Sequence, residues 1–197
     1  MSSTAAKSGS VAKARGGGAR PEASSTVASS DQAAVGRRKS KPAAILYQRN
    51  KGVDAYVRAV ADATPMEIVE IERRGVLGAF IKDLSKRMEV PASRIFTILG
   101  VPKATAEKKA AAGELVSGSG GQAAVGMIRL LGIAQEIVAN STAAEAKKFD
   151  AARWLGKWIE RPQPALGGRK PADLIDTPTG VELVARLLGS IESGAYQ

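Results

Sequence analysis

The chain has 197 residues with neither cysteine nor histidine, so disulfides are excluded and the commonest general base and metal ligand are both missing. Metal chemistry would fall to carboxylates alone, and no serine or threonine has an imidazole to activate it; the sequence reads as that of a non-enzymatic protein without a cofactor. A formal charge of +10 is concentrated near the start, because residues 1–43 carry eight Lys and Arg against Glu22 and Asp31, leaving 21 basic and 17 acidic residues for the remainder.

Aromatic residues make up 4% of the chain and hydrophobic residues 44%, so its core must come mainly from Ala, Val, Ile and Leu, which favours packed helices. No apolar run reaches the about 18 residues that span a bilayer, and no signal-peptide segment is legible; Gly16 to Gly18 and Pro21 also spoil an amphipathic transit helix. The expectation is a cytoplasmic protein with no membrane partner.

Residues 1–43 are Ser, Ala, Gly and basic throughout, too poor in large apolar groups to offset the entropy of ordering, and are expected to be a disordered basic tail. A weakly amphipathic stretch begins at Ala44. Thr64, Pro65 and Glu67 then spell a helix start, with Thr64 as cap and Glu67 reaching back, and Gly75 ends that helix. Leu77, Phe80, Ile81, Leu84 and Met88 follow on one helical stripe. Glu67, Glu70 and Glu72 are read as surface charges.

Pro91 opens a short helix holding Ile95, Phe96 and Leu99, Gly100 stops it, and Pro102 begins a second that Gly113 closes. Two short helices around a glycine-containing turn make a helix-turn-helix candidate. The second helix offers alanines inward and Lys103, Thr105, Lys108 and Lys109 outward, which with Arg94 on the first are the candidate DNA contacts. The plainer reading is an ordinary solvated Lys/Glu/Ala helix.

Residues Ser117 to Gly121 read as a flexible break, and Ala123 to Val138 as a buried helix with Met127, Leu130, Leu131 and Ile133. Asp150 caps a helix carrying Trp154, Leu155, Trp158 and Ile159 on one face; the tryptophan pair suits core packing better than a binding hot spot. Ala165 to Gly168 form a turn, Lys170 to Ile175 a short helix, and Thr177-Pro178 start a last helix with Val181, Val184, Leu187, Leu188 and Ile191 on its apolar stripe. Gly194 ends it before Ala195, Tyr196 and Gln197.

Trp154-Leu155, then Leu166-Gly-Gly-x-x-Lys-Pro171, Leu174-Ile-Asp-Thr-Pro-x-Gly180, Leu188-Gly-x-Ile191 and Gly194-x-Tyr196 follow in fixed order. This string resembles the Xre/MbcA/ParS-type antitoxins, over about residues 64–197. The resemblance implies an all-α fold: a disordered basic tail (1–43), an Xre-like helix-turn-helix region (44–118), and a helical region (119–197) that includes a small toxin-binding domain with its core at about 142–197.

It also implies partners. A member binds and neutralises a RES-domain toxin, related to ADP-ribosyltransferases and using NAD, through its C-terminal domain; it represses its own operon through operator DNA and forms a homodimer. NAD would belong to the toxin. Lys170, Pro171, Leu187, Leu188, Ile191, Gly194, Tyr196 and Gln197 are the toxin-binding candidates on this basis, with Tyr196 as anchor. The chain departs from the family where Thr105 is followed by Lys108 and Lys109 instead of arginines, which weakens bidentate guanine reading. The competing reading is a nucleoid-type protein that coats DNA without regard to sequence and has no toxin partner; it rests on the basic tail.

Overall fold

Helix punctuation in the sequence is obeyed closely in the computed structural model, which describes residues 44–192. The expectations for residues 1–43 and for Gly194, Tyr196 and Gln197 lie outside the described residues. A 3₁₀ turn, Arg49–Lys51, leads into α1, Gly52–Ala61; α2 runs Pro65–Arg74, α3 Gly78–Arg87, α4 Ala92–Ile98, α5 Lys103–Ala112, α6 Gly118–Asn140, α7 Ala151–Trp158 and α8 Pro178–Glu192. Thr64 caps α2 as the sequence suggests: its Oγ1 accepts from Glu67 N at 3.3 Å while Glu67 Oε2 accepts from Thr64 N at 2.8 Å. Gly75 stands at the C-cap of α2, and Gly113 closes α5 in the left-handed region at φ 67°.

The all-α class holds, with one small addition. Two two-residue strands, β1 (Val76–Leu77) and β2 (Leu115–Val116), pair antiparallel with Val76 opposite Val116, fastening the start of α3 to the end of α5.

The expected break at Ser117 to Gly121 is a correction: these glycines form the first turn of α6, the longest helix at 23 residues. The reason is contact rather than flexibility. A Cβ at Gly121 would lie 2.6 Å from Val116 O, and one at Gly120 would lie 2.4 Å from Val101 Cγ2, so only hydrogen atoms fit where β2 and the α4–α5 connection cross the helix.

α6 is the axis of the fold, packing on α8, α1, α7 and α2, while α3 packs on α5, α4 and α1. Met127, Ile128, Leu130 and Leu131 on α6 have no exposure, each burial contributing roughly 1.5–3 kcal/mol relative to exposure. By length and mean hydropathy (1.3) α6 is apolar enough to cross a membrane, contrary to the sequence expectation. Half of that window is buried inside the protein, so its apolarity is explained by the helices packed around it. All described residues belong to one compact unit, with α6 contributing to both the α1–α5 region and the α7–α8 region.

Candidate functional site

Two surfaces present the residues singled out in the sequence. The first is α5, which rests on α3 almost without side chains between them: Ala106 is its only fully buried apolar residue, and a Cβ at Gly78 would come within 2.6 Å of Ala110 N. This close seat leaves Lys103, Thr105 and Lys108 exposed. The other two candidate DNA contacts are engaged within the chain. Lys109 is half-buried and donates from Nζ to Leu115 O at 2.7 Å. Arg94 donates from Nε to Glu160 Oε1 at 2.5 Å and from Nη2 to Glu160 Oε2 at 3.1 Å, with Asp173 at 3.7 Å.

The second surface is built by α7, the turns after it, and α8. Asp150 caps α7, accepting from Arg153 N at 3.0 Å. Trp154 and Trp158 stack with centroids 5.8 Å apart; Trp158 is core, Trp154 half-buried, and the Phe149 ring lies 6.0 Å from Trp154 and is 45% exposed. The Leu166-Gly-Gly motif is a turn closed on Gln163, whose carbonyl accepts from Leu166 N and Gly168 N, with Gly167 in the left-handed region at φ 64°. In place of the expected helix at Lys170 to Ile175 there is a single 3₁₀ turn, Pro171–Asp173, because Pro171 and Ala172 are buried and Ala172 N donates back to Ile159 O. Thr177 Oγ1 accepts from Gly180 N at 3.1 Å at the start of α8, and a Cβ at Gly180 would fall 1.8 Å from Leu174 O.

Of the toxin-binding candidates in the described residues, Pro171 and Leu188 are buried and Leu187 is 7% exposed, so they hold α8 in place and shape the surface from beneath. Lys170 and Ile191 are half-exposed, Lys170 with its ammonium 3.5 Å from Glu160. The Asp-Thr-Pro and glycine positions of the motif string therefore act mostly through turns and close approaches.

Sequence reading missed a row of ion pairs that join the α3–α4 segment to the α7 region and, through Asp54, to α1. Arg87 donates to Asp150 Oδ1 at 2.7 Å and to Asp54 Oδ2 at 2.9 Å, Arg153 pairs with Glu89, and Arg94 holds Glu160. The bonds from Arg94 hold the Glu160 carboxyl below its ordinary range despite partial burial, and for Asp150 burial is outweighed by the bonds from Arg153 N and Arg87. Between these pairs the chain backbone comes close: a Cβ at Gly156 would be 2.3 Å from Met88 O. No sequence signal marks these partners, since Arg87–Asp150, Arg94–Glu160 and Arg153–Glu89 join residues more than sixty positions apart and Arg87–Asp54 residues 33 apart.

A groove of about 350 Å³ was also not anticipated; it is bounded by the end of α6, the loop before α7, Trp154 and Ile191, and nearly all its lining is apolar. Among the described residues no cluster of three or more acidic side chains is arranged to hold a metal.

The C-terminal part is thus a helical unit whose turns at Leu166 to Gly168 and Thr177 to Gly180 fix α8 against α6, with α5 exposing lysines elsewhere on an all-helical protein. Residues 148–194 match the Antitoxin Xre/MbcA/ParS C-terminal toxin-binding domain. Over 149 residues the chain is 33% identical to a Prs ADP-ribosylating antitoxin of Sphingobium sp. (strain YBL2), covering 75% of this chain and 92% of that one. The chain belongs to the Xre/MbcA/ParS-type antitoxins, and a toxin is its cognate partner.

Proposed function

We propose that this antitoxin neutralises a RES-type toxin that uses NAD for ADP-ribosylation, and that it represses its own operon as a cytoplasmic homodimer, without catalytic activity of its own. The observation that carries the first half is the continuous toxin-binding module at 148–194, joined to a relative whose name refers to ADP-ribosylation. For the second half, Lys103, Thr105 and Lys108 are all exposed on α5, with Thr105 and Lys108 three residues apart on one side of it, suited to phosphates and guanine edges. Arg94 and Lys109 would act there only by supporting α4 and α5, given their bonds within the chain. Gly194, Tyr196 and Gln197 would reach from the end of α8 into the toxin's cleft, with Lys170 and Ile191 at the rim and Pro171, Leu187 and Leu188 as the base; a terminal segment on an anchored helix costs little ordering.

The test is made on the terminal residues alone. Deleting residues 162–197 would strip Val181, Val184 and Leu188 from the core and confuse unfolding with lost recognition. A chain ending at Glu192 keeps α8, and it should fail to suppress NAD consumption by the toxin while melting like the parent. Full suppression by that chain would overturn the terminal assignment. If the full chain suppresses nothing and binds DNA through residues 1–43 alone, indifferent to sequence and abolished by salt, the DNA-coating reading replaces it.

A further inference from the structure

The groove beside Phe149 is an apolar surface with nothing of this chain over it among the described residues. Ala134, Ile137, Val138, Ala143, Ala146, Phe149, Trp154 and Ile191 line it, and Glu145 is its one ionisable group. Most side chains as large as Phe149 are withdrawn from water in this fold; Phe149 keeps 45% of its surface exposed while its ring is held against Trp154, which is itself stacked on the core residue Trp158. The ring is thus fixed in place at little entropic cost, as an anchor for binding requires. The chemistry of the lining chooses the occupant. Its lining is almost wholly apolar with Glu145 as the single charge, so it suits an apolar side chain better than a phosphate backbone, and none of Lys103, Thr105 or Lys108 lines it.

We propose that this groove seats an apolar side-chain cluster on the surface of the cognate toxin, as a point of attachment additional to the residues beyond α8. The occupant follows from continuity: Phe149, Trp154 and Ile191 all lie within the segment matching the toxin-binding domain, and Ile191 is in the last turn of α8, so the groove adjoins the place where the chain leaves that helix. A volume of about 350 Å³ accommodates one or two large apolar side chains. Two attachment points on one rigid module hold the terminal residues in register with the toxin's cleft, because the second contact forms without further loss of rotational freedom. The inference rests on the antitoxin reading and deepens it.

The full chain, carrying Phe149→Glu or Ala143→Arg, is titrated with the catalytically inactive cognate toxin, next to the chain ending at Glu192. Phe149 and Ala143 are both exposed, so the variants should melt within a few degrees of the parent. Each should weaken toxin binding by at least about tenfold. Unchanged affinity in both, with binding lost in the shortened chain, would overturn the groove while leaving the antitoxin reading intact. Unchanged toxin affinity together with a loss of self-association would also overturn it, assigning the groove to a second copy of the chain. No toxin binding by the parent chain would remove the antitoxin reading and the groove with it.

Discussion

Arg94 at the first turn of α4 donates through Nε and Nη2 to both carboxylate oxygens of Glu160, just beyond the end of α7, at 2.5 and 3.1 Å. This two-pronged bond joins the segment that leads into the exposed basic helix with the module that matches the toxin-binding domain. Arg94→Ala should therefore lower stability by about 1.5 kcal/mol, the range for hydrogen bonds to charged groups with partial burial. Thermal melting checks it, and at temperatures where both proteins are folded the variant should keep the proposed DNA affinity of the parent; a large loss of affinity without a change in melting would make Arg94 a direct DNA contact.

The same pair gives an acid limb to the stability curve. Glu160 titrates below its ordinary value of 4.5, held there by Arg94 first and then opposed by its burial. A carboxyl lowered in this way stabilises the fold fully above its unfolded-state value, and the contribution fades as pH falls through the lower folded-state value. Urea denaturation midpoints should be flat near neutrality and drop below pH about 4.5, with Glu160→Gln showing a lower plateau and a shallower drop. An identical acid limb in the Gln variant would remove Glu160 from the account.

Gly126 on α6 faces Val181 on α8, and a Cβ at Gly126 would stand 2.5 Å from Val181 Cγ2. Gly126→Ala should cost about 1–3 kcal/mol through overpacking, even though alanine is the better helix former. Val181→Ala should itself destabilise, yet in the double variant part of the loss should be recovered, giving a coupling energy that chemical denaturation can read. Strict additivity would show that the helices separate independently of this contact.

On α5, Lys103 and Lys108 are exposed while Lys109 is tied to Leu115 O. On the proposed operator binding, replacing Lys108 with Ala should weaken it and reduce the slope of log affinity against log salt by about one, as for one lost phosphate contact. Lys109→Ala should act mainly on melting temperature. Fluorescence anisotropy across a salt series separates the two, and a larger slope change at Lys109 than at Lys108 would reverse their roles.

What could be read from the sequence was local in cause. Thr64, Pro65 and Glu67 set the start of α2 within four residues, Pro91, Gly100, Pro102 and Gly113 delimit α4 and α5, and Asp150 caps α7, because each signal concerns backbone groups a turn away. The stripes of α3 and α8 were equally legible from their spacing, and the motif string from Trp154 to Ile191 carried the family. Tertiary structure decided the rest. Ser117 to Gly121 have the composition of a linker, but β2 and Val101 pass so near that glycine is what allows a helix there. Arg94 has the residue type of a DNA contact, and only the arrival of Glu160 from 66 positions away makes it a brace. Phe149 stands outside every helical stripe, so its place beside Trp154 and the apolar groove depends on how the end of α6 meets α7. Spacing along the chain encodes neighbours within a helix; which surfaces meet, and which are left open, is settled when the helices pack.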